Sequence, residues 1–180
     1  MSRKRRRGPP PPPEKPEPQD DRSPDVHLLL AIAACVSGDP KVAVSAARRA
    51  FLENLYLPAL LRGERPPKLG LVHGIEEAGP EHARVLVESV KPVLGSAPEA
   101  AKFLRAVAET PTAKAERERL ADLARTLLEQ PDPERRRRIQ SEIAALRDPQ
   151  RLAETSAAVM AEAGIVQTEP PPCDPDEFEV

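Results

Sequence analysis

Aromatic side chains are almost missing: tryptophan is absent, and Phe51, Tyr56, Phe103 and Phe178 are the whole complement. Sheet-built cores draw on aromatic and β-branched residues, so β-sandwiches and barrels are disfavoured. RNA-binding sheets that stack bases on exposed rings are disfavoured for the same reason. Cysteine is nearly as scarce, with two in the chain. That excludes a disulfide scaffold and fits a reducing, cytoplasmic compartment. Glycine occurs eight times and histidine three times. The chain holds no Gly-x-Ser-x-Gly elbow, no phosphate-cradling glycine loop, no His-Glu-x-x-His and no Cys-x-x-Cys. It therefore carries no signature of an enzyme, and no cofactor is expected. The longest apolar run, Leu28 to Val36, has nine residues, far short of the ~20 that a transmembrane helix needs.

Proline and charge are what the sequence has instead. The 180 residues, a length suited to one domain with tails, include 23 prolines and carry a net charge of −2. That small charge conceals three segments. Residues 1–22 hold seven basic and four acidic side chains, hence +3. They begin with Arg3-Lys4-Arg5-Arg6-Arg7 and continue into Pro9 to Pro13, a run that favours extended polyproline II. Residues 23–167 hold 20 of each sign and are neutral. Residues 168–180 hold five acidic residues and no basic one. Low apolar content predicts a disordered basic arm at 1–22 and a disordered acidic tail at 168–180. The neutral middle, 23–167, is the folded domain.

Within that middle, prolines punctuate helices. Ser23-Pro24, Asp39-Pro40, Thr110-Pro111, Asp132-Pro133 and Asp148-Pro149 each place a side-chain oxygen at the N-cap and proline at N1. Gly79-Pro80 is a weaker version, and Ser96 with Glu99 forms a capping box around Pro98. These starts predict helices near 24–36, 40–56, 80–94, 97–109, 111–130, 133–147 and 149–163. Gly38, Gly95 and Gly164 supply stops, Pro58 kinks or ends the second helix, and 64–78 reads as a long loop. Apolar residues recur on one face at Leu120, Leu123, Ala124, Leu127 and Leu128, then at Ile139, Ile143 and Leu146, then at Leu152, Ser156, Val159 and Ala163. The first helix is apolar all round over Leu28 to Val36, the pattern of a helix buried centrally. The expected fold is all-α: an irregular antiparallel bundle or short α-solenoid of six to seven helices, with disordered termini.

Function has few footholds. Arg135-Arg136-Arg137-Arg138 fills a first helical turn, where the macrodipole disfavours cations. Four residues span a full turn, so one arginine faces the core edge and the others form a basic rim. Glu134, Glu116 and Glu118 are the expected carboxylate partners of a merely solvated face. The sharper reading is an anion-binding patch. The arm, Arg3 to Arg7, raises the same question, since contiguous cations on a tether attract any polyanion. Phe178-Glu179-Val180 has the apolar-x-apolar ending that PDZ domains take by strand addition. Ile32-Ala33-Ala34-Cys35 resembles a lipoprotein processing box, yet a long, acidic, proline-broken stretch separates it from the basic start of the chain. His73, Glu76, Glu77, Glu81 and His82 are the one concentration of metal-capable groups, interrupted by Gly74 and Gly79-Pro80. The leading expectation is a non-catalytic interaction module that binds a protein partner through charged termini. A nucleic-acid accessory protein acting through the arm and the Arg135–Arg138 rim is the alternative, and a metal-dependent helical enzyme the third.

Overall fold

Four of the expected caps close in the computed structural model, which describes residues 23–71 and 78–166. Asp39 accepts from the Val42 amide, Thr110 from Ala113, Asp132 from Glu134 and Asp148 from Arg151. Each satisfies a first-turn donor that the helix itself cannot use. Ser23 makes no such bond, and proline at N1 alone marks that start.

The described residues form nine helices and no strand: α1 Pro24–Ser37, α2 Pro40–Glu53, α3 Leu57–Leu61, α4 Pro80–Ser96, α5 Pro98–Glu109, α6 Pro111–Glu129, α7 Pro133–Leu146, α8 Pro149–Glu154 and α9 Ser156–Glu162. The chain is an all-α bundle. In a solenoid each unit touches only its neighbours, whereas α2 packs on α1, α5, α6, α8 and α9.

Three boundaries differ from the sequence expectation. The second helix ends at Glu53, well before Pro58, because Asn54 leaves the helix with φ −134°. Its side chain accepts from the Tyr56 amide at 3.0 Å and donates to the Gly79 carbonyl at 3.0 Å. Such local bonding competes with the helical ladder. The last helix, expected to run unbroken over 149–163, divides at Thr155. The hydroxyls of Thr155 and Ser156 donate to the carbonyls of Arg151 and Leu152, at 2.8 and 2.7 Å, a back-bonding that bends helices. Finally, Gly95 does not stop α4, and no capping box forms. The helix continues to Ser96, whose hydroxyl donates to the Pro92 carbonyl at 3.1 Å, while α5 starts at Pro98 behind Ala97, which supplies no side-chain cap.

The main core gathers α1, α2, α4 and α5 around Leu28, Val44, Phe51, Leu57, Val90 and Leu104. A smaller cluster of Leu52, Leu120 and Leu152, flanked by Ile143 and Leu146, seats α6, α7 and α8. Leu128, expected on the buried face of α6, is 50% exposed, about two turns beyond Leu120.

Candidate interaction surface

The first helix departs most from expectation. It was to be buried on all sides, yet only Leu28, Ala31, Ile32 and Ala34 are buried among its apolar residues. Val26, Leu29, Leu30 and Val36 are 52, 50, 45 and 65% exposed, and Ala33 is exposed with them. Positions 26, 29, 30, 33 and 36 fall on one helical face. This is a continuous apolar stripe open to solvent, without a charged residue inside it.

Its surroundings hold the stripe in place. Gly38 ends α1 in the left-handed conformation at φ 81°, and α2 folds straight back. At the other end His82 Nε2 of α4 meets Asp25 Oδ1 at 2.6 Å. One turn further along each helix stand Val85, 68% exposed, and Leu29. On the opposite side of α1, His27 is buried with its Nε2 3.3 Å from Glu53 Oε1, which also accepts from Arg49. Cys35 is partly buried against the main core. Burial, and next the nearby Glu99 carboxylate, push its thiol pKa up, so it is a packed thiol. The Ile32-Ala33-Ala34-Cys35 match lies wholly inside this helix.

Beneath the surface lies a buried polar network. Arg48, 1% exposed, donates from Nε to Glu116 Oε2 at 3.1 Å and from Nη2 to Oε1 at 2.6 Å. Its Nη1 reaches the Leu152 carbonyl at 2.9 Å, which also accepts from Ser156, and Ser156 meets Ser45 at 3.0 Å. One guanidinium thus ties α2, α6 and α8 together. This fork is the geometry that makes arginine suited to buried carboxylates. Sequence reasoning missed it, although Arg48 stands one turn from both Val44 and Leu52 on an apolar face. Glu116 was expected to serve the Arg135–Arg138 rim, and Arg48 holds it instead.

Among those four arginines, Arg136 turns inward and donates to the carbonyls of Leu127 at 2.9 Å and Gln130 at 3.1 Å, where α6 ends. Cations are favourable at a helix C-terminus. Arg135, Arg137 and Arg138 are exposed. The anticipated Glu134–Arg138 pair does not form. Arg135 and Arg138 instead line a cleft of about 390 Å³ together with Arg119, Asp132, Glu134 and Glu142, where Arg119 pairs with Glu142 at 2.6 Å. Three cations therefore face three carboxylates.

A second cleft of about 390 Å³ lies between α6 and residues 55–69, over Leu55, Pro67, Leu69 and Ala121. Arg117 at its edge donates to the Ala108 carbonyl at 2.8 Å, and its buried Nη1 has no partner among the described residues. Burial and then the nearby Arg62 lower its pKa.

Of the candidate metal-capable group, Glu81 and His82 lie among the described residues. Glu81 pairs with Arg84 at 2.6 Å and His82 with Asp25. Among the described residues no group of three or more His, Cys, Asp or Glu is placed to hold a metal ion. His73, Glu76 and Glu77 lie outside the described residues, as do Arg3, Lys4, Arg5, Arg6, Arg7, Cys173, Phe178 and Val180. No described helix is long and apolar enough to cross a membrane. No family model, curated protein or solved structure matches the chain.

Proposed function

We propose that this chain is a non-catalytic helical interaction module that binds protein partners, with the apolar face of α1 as its docking surface. The charged termini, Arg3 to Arg7 and Glu169 to Val180, serve it as tethers. The observation that carries this reading is the uncharged stripe Val26, Leu29, Leu30, Ala33 and Val36, held open to solvent by a helix anchored on its other side. Contiguous exposed apolar patches of a few hundred Å² are often functional on soluble proteins. Opposite charge at the two ends adds long-range attraction, which raises encounter rates more than final affinity.

The test is a titration with a purified partner, comparing wild type, Leu29→Asp with Val36→Asp, and replacement of Arg3, Lys4, Arg5, Arg6 and Arg7 by serine. The stripe variant should lose binding at least tenfold. The serine variant should slow association and weaken its salt dependence. Full affinity in both would overturn the module as described.

A second reading has its own support. Arg135, Arg137 and Arg138 are exposed and make no ion pair with the described residues. With the arm they would bind polyanions such as nucleic acid. Each phosphate contact contributes about 0.9 to the slope of log affinity against log salt. Retardation of nucleic acid should then fade steeply with salt, and the serine variant should flatten the slope. No retardation at low salt would remove this reading.

A further inference from the structure

The partner that the α1 face fits best is a second copy of this chain. We infer that the protein self-associates into a weak two-fold dimer through α1, a conclusion that rests on the interaction-module reading.

Two observations point to a copy, and a third sets how strongly it binds. The first is spacing. Val26, Leu29, Ala33 and Val36 repeat at intervals of three and four, the a and d positions of a coiled-coil seam, with Leu30 beside them. The stripe is centred on Leu30 and Ala33, and the small Ala33 lets a second backbone approach closely. A two-fold axis near Leu30 lays this strip on its own image, the self-complementary arrangement that closed dimers require.

The second is charge. The stripe contains no ionisable group, so its own image brings no like charges together. The helices α4 and α5, both packed on α1, carry charges of both signs paired within one turn: Arg84 with Glu81, Lys91 with Glu88, and Lys102 with Glu99. A surface so balanced neither repels a copy nor selects a partner of one sign. A strongly acidic or basic partner would find nothing here to recognise.

The third is area. The stripe spans about 15 Å along the helix and exposes on the order of 400 Å² of apolar surface, a size at which patches are often functional. A stable interface buries about 800 Å² per partner. Val85 of α4, 68% exposed and one turn from the Asp25–His82 contact, adds apolar surface without closing that gap. The dimer is accordingly reversible, forming as concentration rises.

Sedimentation velocity of the full chain, from low-micromolar to submillimolar concentration, tests this alongside Leu30→Glu. A second measurement follows the rate of thiol labelling at Ala33→Cys at the lowest concentration. Circular dichroism checks that both variants fold. The inference expects a concentration-dependent shift from monomer to dimer in wild type. Leu30→Glu, which sets two carboxylates face to face at the axis, should abolish it, and the thiol introduced by Ala33→Cys should label quickly in the monomer. A dimer that survives Leu30→Glu overturns the assignment of α1. A monomer throughout with fast labelling overturns the dimer but leaves an open docking face for a different protein. A monomer with slow labelling overturns both, because another part of the same chain then covers the stripe.

Discussion

The helices α1 and α2 invert each other's composition and position. The most apolar segment of the chain, α1, leaves one face in water, while α2, with two arginines, a lysine and a glutamate, occupies the centre. Partners on several sides explain the exchange, since α2 packs on α1, α5, α6, α8 and α9. Ala43, Ala46, Ala47 and Ala50, each at most 5% exposed, share one face of α2, where small side chains allow close approach. Val44, Arg48, Phe51 and Leu52, each at most 1% exposed, fill the sides beyond it. Centrality in this bundle follows from having a matched neighbour on each side, and apolarity decides only which face of a peripheral helix turns inward.

That comparison breaks most severely at Arg48. Arg48→Ala leaves Glu116 buried with Arg151, 3.3 Å away, as its remaining cation. Removing one partner of a buried pair costs about 3–5 kcal/mol, and Arg151 places the expected loss near the lower end in urea unfolding. Arg48→Met with Glu116→Leu should recover most of it, since apolar replacement of both partners is often neutral or better. A double variant as unstable as the single one would mean that the network carries the position of α2.

A smaller effect is expected at Ala47, fully buried on α2. Ala47→Leu overfills the close contact and should cost about 1–3 kcal/mol, whereas the same enlargement at Ala33 of α1 should be close to neutral. Equal costs at the two alanines would erase the distinction between the helices.

The smallest effect concerns how the last helix is fastened. Glu162 of α9 accepts from the Thr112 hydroxyl at 2.6 Å and the Thr112 amide at 3.0 Å. Those bonds, hydroxyl first, hold its carboxyl below the usual range. A depressed folded-state pKa stabilises above the unfolded value, near 4.3, and that contribution disappears as pH falls through the folded value. Thermal unfolding should show wild type losing more stability than Glu162→Gln on acidification through that window, with the two converging at the lowest pH. Parallel curves would mean that the contact contributes nothing.

Much of this architecture was legible in the residues. Proline after aspartate or threonine marks a helix start by two local effects, the fixed φ and the side-chain acceptor, and neither depends on the rest of the fold. The starts of α2, α6, α7 and α8 were therefore readable. The breaks at Asn54 and Thr155 were not, because each depends on a short polar side chain choosing a nearby backbone group over the helix. The placement of Arg136 followed from four arginines covering a full turn. The site itself was hidden for a different reason. An all-apolar helix gives no periodic signal of which side meets solvent, so the α1 face needed the positions of its neighbours. Arg48 was obscured by the same logic, since a buried arginine is intelligible only beside Glu116, far away in sequence.

The most direct test is a pair of adjacent leucines on α1. Leu28 is fully buried and Leu29 is 50% exposed, so they report the two faces of one helix under identical chemistry. Urea unfolding of Leu28→Ala and Leu29→Ala should separate them, with about 2–5 kcal/mol lost at Leu28 and no more than about 0.5 kcal/mol at Leu29. Comparable losses at both positions would contradict the account, because α1 would then be surrounded by protein and would have no face to offer.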